Sequence, residues 1–230
     1  MGGFVGGATG SDVSNTAARD SDGGASINDP YDANNNYSTK AGFIGGGTVG
    51  YNWQIGKTPY LVGLEGEYGY LSQKKSNADP NSAPWNRDNS GRPADNSQSS
   101  TSIGADYGYG LVGGRLGYAL DRSLFYIKSG AVFTTISSSW SDTAYEFEGL
   151  GSGSNKATTT GYALGAGFEY ALPFKYFTNV SLKTEYFYFG IPTSTTIEAP
   201  YTQGGSTGTF STTQTTSGIH TAKIGVNYNF

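Results

Sequence analysis

The amino-acid sequence predicts an all-β fold: an eight-stranded antiparallel transmembrane β-barrel forming a single domain over residues 1–230. Three features lead there. Apolar and aromatic residues recur at every second position in eight stretches, the period at which strand side chains turn to alternate faces. The connections between those stretches alternate long and short, as in a chain that crosses a membrane back and forth. Charged residues within the stretches keep to the parity opposite the aromatic one.

Composition agrees. The chain holds 36 glycines and 14% aromatic residues but only 14% charged ones, which suits many short strands and turns better than a helical bundle. No run of about 18 apolar residues occurs, so no transmembrane helix is expected; a barrel strand needs only about ten residues with one apolar face. A net charge of -4 without any basic run argues against nucleic acid as a partner. Cysteine is absent, which removes disulfides, a thiol nucleophile and cysteine metal sites. Met1 is followed by Gly2 and Gly3 rather than by a basic segment and an apolar core. No signal peptide is therefore expected, and an exported chain would be numbered from a mature or engineered N-terminus.

The first strand is expected over residues 4–13. Residues 14–39 read as a loop, because Asp20, Asp22, Gly23, Gly24, Asn28, Asp29, Pro30 and Asn34 to Asn36 favour turns or break strands. The second strand, 40–54, places Phe43, Val49, Tyr51 and Trp53 on one parity, and Gly56, Lys57 and Pro59 turn the chain. The third, 60–73, sets Val62, Leu64, Tyr68 and Tyr70 against Glu65 and Glu67. Residues 74–100, with Pro80, Pro84 and Pro93, read as a second loop. The fourth strand, 101–120, opposes Val112, Leu116 and Tyr118 to Arg115. Its early half, 103–111, carries apolar residues in the other parity, which predicts a bulge or an extension beyond the membrane.

Asp121 and Arg122 make the next short turn. The fifth strand, 124–140, places Phe125, Ile127, Ala131 and Phe133 opposite Lys128, and 141–157 reads as a third loop. In the sixth strand Tyr162, Leu164, Ala166, Phe168 and Tyr170 alternate with Gly161, Ala163, Gly165, Gly167 and Glu169, and Pro173 marks a third short turn. The seventh, 179–190, sets Val180, Leu182, Tyr186 and Tyr188 against Lys183 and Glu185. A Thr-, Gly- and Ser-rich stretch, 191–214, reads as the fourth loop. The last strand places Ala222, Ile224, Val226, Tyr228 and Phe230 on one face and Thr221, Lys223, Gly225, Asn227 and Asn229 on the other.

Alternation alone does not separate a membrane barrel from a soluble one with its apolar face inward. Charge sorting does. The polar parity collects Glu65, Glu67, Arg115, Lys128, Glu169, Lys183, Glu185 and Lys223, four acids and four bases, a balanced set that can pair in a narrow interior. The apolar faces carry aromatic residues toward both strand ends: Tyr51, Trp53, Tyr118, Phe125, Tyr170 and Phe230 at one, Tyr68, Tyr70, Tyr186 and Tyr188 at the other. Such girdles suit two membrane interfaces.

An aromatic last residue with a second aromatic two positions earlier resembles the C-terminal signature of bacterial outer-membrane β-barrels. The segments GFIGGGTVGYNWQ (42–54), VGLEGEYGY (62–70), LVGGRLGYA (111–119) and KIGVNYNF (223–230) are similar to OmpA-like and porin-family small barrels of alphaproteobacterial type. The resemblance implies a place in the bacterial outer membrane of a Gram-negative cell envelope, with four long loops extracellular and three short turns periplasmic. It also implies outer-membrane lipids and lipopolysaccharide as surroundings, and barrel-assembly machinery that reads the C-terminal strand at Tyr228 and Phe230. No cofactor and no metal are expected. The same aromatic exterior can face lipid or a second barrel, so a homo-oligomer stays open.

The function expected is structural or surface-interacting and non-enzymatic, with the eight charges plugging a lumen only wide enough for side chains. Arg115 is the expected hub, since a guanidinium can hold two carboxylates. The alternative is a narrow porin-like channel for small polar solutes. A third reading, an outer-membrane lipid-modifying enzyme, rests on His220, the only histidine. Its parity is outward and Ser217 has the opposite parity, so an interfacial polar role is expected instead. Asp20, Asp22, Asp29 and Asp32 lack calcium-loop spacing and are expected to be solvated. The glycines 45–47, 161, 165 and 167 precede no helix, so close packing inside the barrel rather than phosphate binding is expected of them.

Overall fold

The computed structural model describes residues 1–10, 13–20, 41–78, 98–143, 151–173, 179–203 and 206–230. They form nine strands: β1 (Gly2–Gly10), β2 (Val13–Asp20), β3 (Gly42–Gln54), β4 (Tyr60–Ala78), β5 (Gln98–Leu120), β6 (Ser123–Thr143), β7 (Gly151–Ala171), β8 (Val180–Gln203) and β9 (Ser206–Tyr228). All belong to one antiparallel sheet in the order β1-β3-β4-β5-β6-β7-β8-β9-β2. Because β1 also pairs with β9, from Gly2↔Asn227 to Gly10↔Ile219, the sheet closes on itself through β1.

Two short turns have the local chemistry that the sequence predicts. Between β3 and β4, Gly56 takes a φ of 59°, and Ile55 N donates to Tyr60 O at 2.9 Å across the turn. Glycine meets that left-handed backbone without steric cost. Between β5 and β6, Asp121 takes a φ of 51°, a conformation that Asp tolerates better than most residues. Of the third short connection only Leu172, Pro173 and Asn179 fall among the described residues.

The predicted loops are shorter than expected, for a shared reason. β4 continues to Ala78, β5 begins at Gln98, β6 ends at Thr143 and β7 begins at Gly151. Val13, read as the end of the first strand, and residues 14–20, read as loop, form β2 and pair with β9. The largest correction concerns 191–214. β8 and β9 run on through it, pairing from Thr193↔Thr216 to Gln203↔Ser206. Threonine is β-branched and favours strands, and here its hydroxyls pair across the ladder, Thr196 Oγ1 lying 2.9 Å from Thr213 Oγ1. Backbone pairing in an extended hairpin outweighs the polar composition that suggested a loop.

The bulge expected in the early half of the fourth strand is present as a register shift between Ala105 and Tyr109 where β5 meets β6. A second shift lies between Gly190 and Thr193 in β8. The alternation of faces is as the sequence indicates. Leu64, Tyr68, Val112, Leu116, Ile127, Leu164 and Tyr186 are exposed on the outer face, while neighbours such as Glu65, Glu67, Leu111, Arg115, Lys128 and Phe187 are buried. Ile103, Ala105, Tyr109 and Leu111, whose parity suggested an extension as one alternative, instead face inward with Ile44, Leu71, Val132, Ile136, Phe187, Phe189 and Ile219. The interior therefore has two layers. Charges lie nearer the short turns, and an apolar layer fills the side toward the long connections.

Candidate functional site

All eight charged residues singled out by parity lie in the interior, none more than 7% exposed. Each comes from a strand whose other face is apolar, so the alternation that exposes Leu64 or Ile127 buries Glu65 or Lys128. The ion pairs link them in one network. Lys128 Nζ lies 2.6 Å from Glu65 Oε1 and 2.6 Å from Glu67 Oε1. Lys223 Nζ is 2.8 Å from Glu67 Oε2 and 3.4 Å from Glu185 Oε2, and Lys183 Nζ lies 3.4 Å from Glu185 Oε2 and 3.5 Å from Glu65 Oε1. Arg115 Nη1 is 3.3 Å from Glu65 Oε2 and 3.8 Å from Glu169 Oε2.

Arg115 does span two carboxylates, yet it is not the hub. The short contacts belong to Lys128, and Glu65 meets three cations, Arg115, Lys128 and Lys183. Geometry explains the difference. Arg115 Nε donates to Asn52 Oδ1 at 2.6 Å, which commits the guanidinium edge away from the centre of the network.

Sequence reasoning did not identify the neutral side chains that complete the layer. Tyr109 donates its hydroxyl to Glu67 Oε2 at 3.1 Å, Tyr126 donates to Glu185 Oε1 at 2.8 Å, and the Ser181 hydroxyl donates to Glu169 Oε1. Phe187 lies beside two ammoniums, with its ring centre 4.4 Å from Lys223 Nζ and 5.2 Å from Lys128 Nζ. Phe4 is 4.6 Å from Lys223 Nζ. Ring faces attract desolvated cations, so these aromatics face charge on one side and the apolar layer on the other. Their parity, shared with the charges, was the available signal.

Two glycines make this packing attainable. A Cβ on Gly167 would collide with the Tyr126 ring, and one on Gly165 with the Phe187 ring. Close packing thus accounts for this part of the glycine series. Three carboxylates, Glu65, Glu67 and Glu185, converge within 4.8 Å, but the cations facing them are Lys128, Lys183 and Lys223. A buried network of this kind is stable only when its members satisfy one another; here ion pairs hold Arg115 Nη1, Glu169 Oε2 and Glu185 Oε2, which make no hydrogen bond, and chemically it can brace and fill the interior.

The other residues weighed from sequence lie apart from this layer. His220 is on the outer face, its Nδ1 2.7 Å from the Tyr186 hydroxyl and its ring 4.9 Å from that of Tyr188. Tyr188 in turn donates its hydroxyl to Ser217 O at 3.1 Å, leaving His220 among tyrosines. Tyr228 and Phe230 are exposed at the end of β9. Asp22, Asp29 and Asp32 lie outside the described residues.

A closed antiparallel sheet with an apolar exterior and charges inside is the arrangement of a membrane barrel, and residues 4–230 match the outer membrane protein beta-barrel domain family. The chain belongs to that family. It is a protein of the bacterial outer membrane. It is similar to the 31 kDa outer-membrane immunogenic proteins of Brucella melitensis and Brucella suis, 27% identical to each over 193 residues, which cover 84% of this chain and 68% of each relative. Among solved structures it resembles Ail, the attachment invasion locus protein of Yersinia pestis, at 11% identity and a TM-score of 0.25, over 96% of this chain and 99% of that one. It also resembles a Pseudomonas aeruginosa FadL homologue at 10% identity and a TM-score of 0.31, over 100% and 90% of the two chains.

Proposed function

We propose that this protein is an eight-staved outer-membrane barrel with a filled lumen, serving a structural or surface-interaction role rather than catalysis. β1 and β2 pair successively with β9 and count as one stave, and β3 to β9 supply the other seven. The three short connections and both chain ends then lie on the periplasmic side. The four longer excursions are extracellular, the fourth being the β8–β9 hairpin itself.

The observation that supports a plug is the pair of layers across the lumen. Lys128, Lys183 and Lys223 are at most 3% exposed within the charge network, and Ile44, Leu71, Val132, Phe187 and Phe189 are fully enclosed in the apolar layer beyond it. Ions and water would have to displace both layers. Outer-membrane lipids and lipopolysaccharide are the expected neighbours of the aromatic girdles, and the assembly machinery is the expected reader of Tyr228 and Phe230. The outer face is also open to a second copy. The Brucella relatives, named as immunogenic outer-membrane proteins, fit a surface-directed role.

Single-channel recording of purified protein in planar bilayers tests this reading. A flat trace is expected, whereas discrete current steps would replace it with the narrow channel. Lipid A acyl-chain modification that disappears in His220→Ala would overturn the non-enzymatic assignment.

A further inference from the structure

The wall is not equally strong around its circumference. Among the described residues β1 meets β3 at seven ladder positions, from Gly2↔Thr48 to Ala8↔Gly42. Its other edge meets β9 at nine, and β2 prolongs that seam from Val13↔Thr216. The chemistry differs more than the length. Every β1–β3 pair contains a glycine: Gly2 faces Thr48, Gly3 faces Gly47, Phe4 faces Gly46, Val5 faces Gly45, Gly6 faces Ile44, Gly7 faces Phe43 and Ala8 faces Gly42. Directly opposed side chains are the unit of sheet stabilisation, and this seam has none. On the other edge of β1 six of the nine pairs also contain a glycine, but three do not: Val5 faces Ile224, Ala8 faces Thr221 and Thr9 faces His220. On the other edge of β3, Ile44 faces Leu71, Tyr51 faces Leu64 and Trp53 faces Val62.

Close packing accounts for Gly42 and Gly46, where a Cβ would strike the β4 backbone, and a Cβ on Gly45 would meet the Phe43 ring at 2.8 Å, but the outward Gly3, Gly7 and Gly47 have room for one. A Cβ at Gly3 would be 3.7 Å from Gly46 O, and one at Gly47 would be 3.6 Å from Gly2 O, both ordinary contacts. An outer furrow lined by Gly2, Gly47, Gly66, Val49, Tyr68 and Val112 adjoins the same seam. Inside, the seam is bridged by charge. Lys223 on β9 and Glu67 on β4 stand on opposite sides of the β1–β3 pair, and their 2.8 Å contact spans it across the lumen.

We propose that the wall opens first between β1 and β3, not between the two ends of the chain, and that the Lys223–Glu67 ion pair is the latch. β1 leaves as part of the β9 and β2 edge. The lumen-facing Phe4, Ala8 and Ile44 then meet the bilayer. This inference rests on the closed pairing of the sheet and does not depend on whether the lumen conducts.

Amide hydrogen exchange on the full chain in lipid nanodiscs tests it. Residues 42–48 should exchange about tenfold faster than 219–227, and Lys223→Met should accelerate 42–48 further while leaving 111–118 unchanged. Exchange of 219–227 as fast as 42–48 in the unmodified protein would overturn the proposal without any variant having to fold. The absence of cysteine allows a second arm. Oxidised Gly3→Cys with Gly47→Cys should raise the temperature at which the folded gel band is lost, and reductant should reverse the gain. Val5→Cys with Ile224→Cys should not raise it. The opposite ranking of these two locks would place the opening at the terminal seam.

Discussion

Replacing Lys128 with methionine removes the centre of the interior network while keeping a side chain of similar length. Lys128 is 1% exposed and makes two 2.6 Å contacts, with Glu65 and Glu67. After its loss Glu65 retains Arg115 at 3.3 Å and Lys183 at 3.5 Å, and Glu67 retains Lys223 at 2.8 Å. The remaining set has four carboxylates and three cations in a buried interior. Removing one partner of a buried pair costs about 3 to 5 kcal/mol, which lowers the folding equilibrium constant by roughly two to three and a half orders of magnitude. Reversible urea unfolding in detergent or lipid vesicles, followed by circular dichroism, measures this directly. Adding Glu67→Gln restores the balance of charge, so the double variant should recover to within about 2 kcal/mol of the parent. A loss below about 1 kcal/mol for Lys128→Met would refute the reasoning, because that is the scale of a solvated ion pair.

Other perturbations separate the layers and faces. Arg115→Ala removes the cation that stands 3.3 Å from Glu65 and 3.8 Å from Glu169, but the apolar layer beyond stays shut. Planar bilayers should therefore show no current with this variant, and current steps would mean that charge alone seals the lumen. Gly167→Ala pushes a Cβ into the Tyr126 ring and breaks its 2.8 Å bond to Glu185. It should cost about 1 to 3 kcal/mol in urea unfolding, more than Tyr126→Phe, which removes the hydroxyl alone at about 1 kcal/mol. Leu64→Arg places a charge on the outer face, where Leu64 is 59% exposed. Folding into vesicles should weaken by about 2 to 4 kcal/mol if that face meets lipid.

The fold was legible where the period of two decided between large alternatives. Glu65 and Leu64 are neighbours in sequence, yet one is buried among lysines and the other exposed. A one-residue slip would exchange them, so the strands register themselves. The apolar residues at 103–111 keep the inward parity of Arg115 and mark the inner apolar layer; the shift between Ala105 and Tyr109 preserves that parity, so a bulge was expected there for a reason the structure does not bear out. Composition misled at 191–214, because threonine serves equally in polar loops and in exposed strands, and only a facing partner such as Thr213 opposite Thr196 decides.

The members of the interior layer were legible one strand at a time, but their pairing was not. Which carboxylate Lys128 reaches depends on the stagger between β4 and β6, two strands apart across β5, and on the glycine floor that admits Tyr126 and Phe187. Arg115 was expected to dominate from its chemistry. Its position beside Asn52 overrode that. The β1–β3 seam was invisible for the same reason, since glycines at positions 2 to 7 and 42 to 47 become a weak ladder only once they face one another.

The account rests on an apolar exterior around a charged interior, and the direct test is the behaviour of the purified chain with and without detergent. The arrangement predicts a strand-rich protein that stays folded only in detergent or a bilayer, and whose unboiled gel band shifts on boiling. A strand-rich monomer that remains folded in detergent-free buffer, with no heat-dependent shift, would contradict it and turn the charged face toward solvent.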